Sequence, residues 1–238
     1  MAKILGVKIE NVSFGDVMAK IAAFLMVDEL HIIATINPEF VVTAQRDEAF
    51  KNILNSTDLN VPDGFGLKFG AWISRQKIGE RITGVDLTWE ICKLASEKGY
   101  SVYFLGAAEG VAEKAANRIK LVHPDLKIAG TYSGTPDEEG IVDKINNCGA
   151  DILLVAFGSP NQEKFISTNT LNLKPRLAMG VGGTFDYIAG IVPYAPVWMR
   201  KLGLEWLYRL FTQPKRWRRI FTATIVFPWM VIISKFRR

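Results

Sequence analysis

Residues 60–70 read NVPDGFGLKFG, an acid one step ahead of a Gly-x-Gly run, and two chemistries compete for the stretch. Glycines between a strand and a helix let backbone N–H groups approach a pyrophosphate, and Asp86 stands at about the spacing of a ribose-binding acid. A carboxylate beside bound pyrophosphate would repel it, however. Asp63 itself is therefore the second candidate, as a base or as a cap on the following helix. Small and amide residues also gather at other strand ends: Thr35 and Asn37 in ATINPEF, Gly106 and Gly110 in LGAAEG, Gly158, Asn161, Gln162 and Glu163 in FGSPNQE, and Gly182, Gly183, Thr184 and Asp186 in VGGTFD. Singly, these are what turns and caps demand. On one shared face, glycine N–H groups and helix N-termini suit a diphosphate, and amides suit a base and ribose.

Missing motifs narrow the chemistry. The chain has no DxD pair, HExxH, P-loop or GxSxG elbow, and its two histidines, His31 and His123, fall at or near predicted strand boundaries. A dedicated metal site, P-loop nucleotide hydrolysis and serine hydrolysis all lose support, and no cofactor is expected.

These residues must be positioned by the elements before them. Short apolar runs alternate with helical stretches from Met1 to about Gly190, which predicts an α/β class with a mainly parallel, Rossmann-like sheet. Strands are expected at 31–36, 59–61, 101–106, 126–132, 151–158 and 176–182. Helices are expected from Ser13 to Leu25, from Pro38, over Leu87–Glu97 and over Val111–Leu121. An unbroken run such as ILLVAFG implies burial on both sheet faces and so helices on both. Ligands then bind beyond the carboxyl ends of the strands.

The 238 residues are 49% hydrophobic and 22% charged, in the globular range and enough for one domain with an appendage. Cys92 and Cys148 match no zinc or redox spacing and read as two buried free thiols. The N-terminus lacks the features of a secretory signal, which predicts a cytoplasmic location. Charge is uneven: residues 198–238 carry ten Lys or Arg against Glu205 alone, and their +9 within a net of +5 leaves −4 for residues 1–197. Such a tail points to an anionic partner. Its fourteen-residue apolar run, IFTATIVFPWMVII (220–233), falls short of the roughly 20 residues that span a bilayer. Interleaved Trp198, Trp206, Tyr208, Trp217 and Trp229 suit the headgroup level of a membrane surface. The alternative is packing on the domain or on a subunit partner in a homo-oligomer. Nucleic acid is not expected, because an apolar run has no use on a phosphate backbone.

The strings TINPEF, VPDGFG, RITGVDL, YFLGAAEG, FGSPNQE, GVGGTFDYIAG and LGLEWLYRLFTQPKRWRR, in that order over nearly the whole chain, resemble the WecG/TagA/CpsF glycosyltransferase family, with the basic tail closest to the TagA branch. The resemblance implies a catalytic domain over 1–195 and a membrane-binding helical appendage over 196–238. It implies inverting, metal-independent transfer of N-acetylmannosamine from its UDP donor to undecaprenyl-diphosphate-linked N-acetylglucosamine, in wall teichoic acid linkage-unit synthesis. The setting would be the cytoplasmic face of the bacterial plasma membrane. Another donor, such as the uronic acid form, or a non-catalytic UDP-sugar-binding adaptor are the alternatives.

Direct displacement needs a base for the acceptor hydroxyl and stabilisation of the departing diphosphate. Asp63 is assigned as the base. The resemblance makes Thr35, Asn37 and Gln162 active-site residues, with Thr35 and Gln162 contacting donor sugar or diphosphate. Asp186 is expected to hydrogen-bond uridine, and Arg81 to sit near the acceptor's diphosphate unless it forms a surface pair with Glu80 or Asp86. Arg209, Arg216 and Arg219 of the appendage are expected to bind the diphosphate of donor or acceptor. Two departures from the family pattern, Tyr194 and Asn161, remove positive charge where a basic residue is frequent.

Overall fold

Alternate residues of the central strand look to opposite layers, as a doubly covered strand requires. In β7 (Ile152–Ala156) every residue is buried: Ile152 and Leu154 enter one apolar cluster and Leu153 and Val155 another. The computed structural model describes residues 1–236. Arg237 and Arg238, part of the expected appendage, lie outside the described residues. With β3 (His31–Ile36), β4 (Leu59–Pro62), β5 (Ser101–Gly106), β6 (Lys127–Tyr132) and β8 (Leu177–Gly180), β7 builds a parallel sheet of order β4-β3-β8-β7-β5-β6.

One face is covered by α1 (Phe14–Phe24), α5 (Gly84–Lys98), α6 (Val111–Val122) and α9 (Thr184–Ile188), through residues such as Ile21, Ile91, Ile119 and Phe185. The other carries α2 (Pro38–Ala44), α3 (Glu48–Ser56), α4 (Gly66–Ile73), α7 (Ile141–Asn147) and α8 (Asn161–Thr168). Local chemistry sets the starts of these helices. Ser13 and Asp16 form a reciprocal capping box on α1, and Asn37 caps α2 with Pro38 at its first position.

The expected strands are present with trimmed ends. The β7 strand stops at Ala156 before Gly158 (φ 77°), and β8 stops at Gly180 before Gly182 (φ 53°), both in the left-handed region that ends a strand. A hairpin of β1 (Ala2–Ile4) and β2 (Val7–Ile9) was not expected. Leu5 and Gly6 both have positive φ, 48° and 83°, as a two-residue turn requires, and the leucine hides that turn in the sequence. Cys148 corrects the expectation of two buried thiols. Cys92 is buried, but Cys148 is exposed, because it ends the short α7 where the chain turns out through Gly149 (φ 61°).

Beyond Ala195, α10 (Val197–Lys201) and α11 (Glu205–Thr212) turn at Gly203 and lead into a C-terminal helix, Pro214–Phe236. The fourteen-residue apolar run, too short to span a bilayer by itself, is only part of a 23-residue helix that could cross a membrane by length and composition alone. Pro228 does not end this helix. A proline inside a helix lacks an N–H and crowds the carbonyl four residues back, and here the preceding Thr222–Val226 widens into π-helix.

The C-terminal helix also belongs to the core, since Phe227 and Val231 are buried with residues of α2 and α4. The glycines of the GFGLKFG stretch make this possible. A Cβ at Gly70 would lie 2.7 Å from the Phe227 ring; one at Gly66 would meet the Pro38 ring at 2.8 Å, with the carbonyl oxygen of Ala223 at 3.6 Å. Gly66 and Gly70, one helical turn apart, are the side of α4 on which the C-terminal helix lies. Gly70→Ala should therefore cost about 1–3 kcal/mol by overpacking and speed trypsin cleavage at Lys215–Arg219. Gly15→Ala, whose Cβ would meet only the Ser13 hydroxyl at 3.9 Å, should leave that cleavage unchanged.

Candidate functional site

Above the carboxyl ends of β3, β4 and β8 and the loop after β7 lies a cavity of about 560 Å³, the size of a small-molecule site. Its floor comes from the sheet and its roof from residues after 195, including Arg200, Trp206 and Arg216. Thr35 stands next to last in β3 and is buried, with its hydroxyl toward the first residue of α5. Asn37 spends its carbonyl oxygen capping α2, accepting from the Phe40 N–H at 3.1 Å, which leaves its NH₂ group for the cavity that it lines.

Asp63 follows β4 directly, and its own N–H donates to the Ile36 carbonyl at 2.6 Å, which fixes the turn. Its carboxylate does not cap α4, whose N-terminus has no side-chain cap; it accepts from the Gly84 N–H at the start of α5, at 3.4 Å. Enclosure by the cavity walls pushes its pKa up to about 6, against the opposing pull of Arg81 and Arg209 and with help from the Glu205 charge.

These charges form one network. Arg81 donates to Glu205 at 2.7 Å, and Arg209 donates to the other oxygen of the same carboxylate. The alternative surface pairs for Arg81 are not made: Glu80 accepts from the Phe14 N–H and Asp86 from the Thr83 hydroxyl. That capping role also occupies the acid a dinucleotide reading would need. Burial pushes Glu205 up, but Arg209 and Arg81 outweigh it and hold the carboxyl below its usual range. Burial pulls Arg209 down, and Glu205 more than compensates. The Arg209 guanidinium also sits 5.3 Å from the centre of the Tyr187 ring.

After β7, Gln162 is buried and rigidly held. Its oxygen accepts from the N–H groups of Gly158 and Gly182 at 3.1 and 2.9 Å, and its NH₂ donates to Glu163 at 2.6 Å. Glu163 is only 5% exposed, its second oxygen has no protein partner among the described residues, and burial pushes its pKa up to about 7.

Arg216 and Arg219 reach the cavity from the C-terminal helix. Arg216 comes up against Gly183, and burial together with the neighbouring Arg219 charge lowers its pKa. Arg219 donates through Nε to both oxygens of Glu39, at 2.8 and 2.9 Å. Asp186 is the sequence-predicted residue that the cavity wall does not include. It lies half-buried behind Gly183 beside Arg216, its pKa raised by burial against the pull of that arginine. Of the two departures from the family pattern, Tyr194 lines the cavity and has the Arg200 guanidinium 5.8 Å from its ring centre, so a cation reaches that wall from another position. Asn161 is exposed at the start of α8.

The sequence did not point to Glu205 or Glu39 as parts of the site. Arg81 and Arg219, which hold them, are 124 and 180 residues away in the chain, and no local spacing announces those two pairs. For Glu205 two signals were available: it is the sole acid among ten tail cations, and it stands four residues before Arg209.

A carboxylate with a raised folded-state pKa binds its proton more tightly when folded. Its contribution to stability is full below the unfolded value near 3.9 and is lost as pH rises through about 6. Asp63→Asn should therefore stabilise the protein at pH 7, by up to about 3 kcal/mol less whatever cavity water screens. At pH 4 it should have little effect. Thermal unfolding at the two pH values measures the difference.

A model of the glycosyl transferase WecG/TagA/CpsF family matches residues 2–238. The chain is 36% identical over 191 residues to the N-acetylglucosaminyldiphosphoundecaprenol N-acetyl-beta-D-mannosaminyltransferase of Bacillus subtilis (strain 168), covering 79% of this chain and 74% of that protein. It is 30% identical over 238 residues to the protein of the same name from Staphylococcus aureus (strain MRSA252), covering 99% of this chain and 92% of the relative. The match runs through every element that walls the cavity, and the chain belongs to the WecG/TagA/CpsF family of glycosyl transferases.

Proposed function

We propose that this enzyme transfers N-acetylmannosamine from UDP-N-acetylmannosamine to a polyprenyl-diphosphate-linked N-acetylglucosamine, with inversion and without a metal ion, in teichoic acid linkage-unit assembly. The observation that carries the reading is a half-buried carboxylate with a pKa pushed up to about 6, Asp63, sharing one cavity with arginines from both the body and the tail. The relatives' printed names supply the acceptor.

Asp63 takes the proton of the acceptor hydroxyl as its oxygen bonds to the sugar's anomeric carbon. The bond from that carbon to the diphosphate breaks on the opposite face, and UDP leaves with the electron pair. Arg209 and Arg216, with Arg81 and Arg219, balance the charge that grows on the diphosphate. Thr35, Asn37 and the NH₂ group of Gln162 orient donor sugar and diphosphate. Asp186, set behind the wall, serves uridine by steadying Arg216. Residues 196–238 act as an appendage that completes the pocket and rests on the cytoplasmic face of the membrane. The basic first turns of the C-terminal helix favour anionic headgroups over hydrocarbon, and a stripe through Phe227 and Val231 is committed to the core.

Asp63→Asn should reduce transfer about 10²–10⁴-fold, the usual worth of general-base assistance, with UDP binding retained. Wild-type transfer should be insensitive to EDTA. Removing residues 196–238 should abolish both vesicle flotation and transfer. Full activity in the truncated protein would contradict the appendage's role, and a wild type that binds UDP-sugar without turnover would contradict catalysis.

A further inference from the structure

The cavity changes character along the C-terminal helix. Arg216 and Arg219 mark its charged end, and the residues that continue the lining, Ile220, Ala223, Thr224 and Pro228, carry no charge. Ala223 and Thr224 stand three and four residues after Ile220, and Pro228 four after Thr224, so they form one stripe of the helix. Facing them are Phe65 and Phe69, at and one turn beyond the start of α4. The two helices stay close because Gly70 leaves room for the Phe227 ring, and the Ala223 carbonyl comes within van der Waals reach of Gly66. The result is a slot with aromatic and aliphatic walls that opens from the polar cavity. The Thr224 hydroxyl is turned back onto the Ile220 carbonyl at 2.8 Å, which leaves its methyl group as the wall. Outside the slot, Trp72 and Trp229 are 72% and 63% exposed, as rings at a headgroup boundary would be.

On the reading that the acceptor is a polyprenyl diphosphate, we propose that this slot between α4 and the C-terminal helix holds the first isoprene units of the acceptor and guides the chain out to the membrane. The isoprenoid is joined to the diphosphate with no spacer, so the acceptor demands a charged pocket that passes directly into an apolar one. Bulk phospholipid does not fit this description, because its acyl chains are set apart from the phosphate by glycerol. The π-helical Thr222–Val226 lies along the slot, and Ala223 keeps the wall low where the chain would pass.

The test uses full-length protein in detergent and farnesyl diphosphate bearing a diazirine on its second isoprene unit. Irradiation should label peptides containing residues 65–69 and 220–228. Unlabelled farnesyl diphosphate should remove the label, and a large excess of phosphatidylglycerol should not. Labelling elsewhere, or loss of label to phosphatidylglycerol, would overturn the proposal. Thr224→Asp, which puts a charge in the slot, should raise the KM for a long-chain acceptor about tenfold, as expected when a few methylenes lose their burial, and leave the KM for UDP-sugar unchanged. An equal rise in both would also count against the slot. Turnover in a wild type that labels elsewhere refutes the slot and leaves the transferase reading standing; slot labelling without turnover does the reverse.

Discussion

One carboxylate holds the cavity together. Glu205, on the appendage, takes one arginine from the body and one from its own helix. Without it, Arg81 and Arg209 would face each other and Asp63 across an enclosed space, and their mutual repulsion would favour an open roof. Breaking a fully buried ion pair by removing one partner leaves an uncompensated charge typically worth about 3–5 kcal/mol, and these half-buried side chains, screened by solvent, stand below that. The same carboxylate adds to the rise in the pKa of Asp63, which enclosure chiefly causes and which the two arginines oppose. Glu205 thus ties closure of the roof to the charge around Asp63. The Glu39–Arg219 pair repeats the arrangement at the other end of the roof.

The sheet supports this network by where its strands end. β3 and β4 lie side by side at one edge, and β8 and β7 continue the sheet from β3, so Thr35, Asp63, Gly182 and the Gln162 loop come to one rim from separate parts of the chain. Doubly wound sheets bind ligands at such a crevice. Gln162 shows how rigidly the rim is built: both lone-pair directions of its amide oxygen are taken by glycine N–H groups, and Glu163 holds its nitrogen.

The fold was legible because strands buried on both faces must be apolar throughout, and ILLVAFG and HIIATI declare that burial directly. Thr35, Asn37, Asp63 and Gln162 were legible as cavity residues because ligand sites of this architecture follow strand ends, and each sits in a short motif there. The hairpin at the N-terminus escaped because three-residue strands carry almost no periodicity and its turn lacks the usual Asn-Gly signature. Glu39, and the Arg81 half of the Glu205 pairing, escaped because long-range pairing leaves no spacing to read; the i,i+4 spacing of Glu205 and Arg209 was there to be read but by itself marks only a helix surface pair. The glycines after Asp63 were legible as close-approach residues, yet only the fold shows what approaches. Gly70 makes room for Phe227 of the C-terminal helix and Gly66 for the Pro38 ring at the start of α2.

The central claim is that the half-buried carboxylate of Asp63 is the base. The most direct measurement compares, on the wild-type protein, the titration of the Asp63 carboxyl carbon by NMR with the acid limb of kcat/KM for glycosyl transfer. The account predicts that both fall at about 6 and coincide. An Asp63 carboxyl that titrates near 4 while the acid limb lies elsewhere would contradict it.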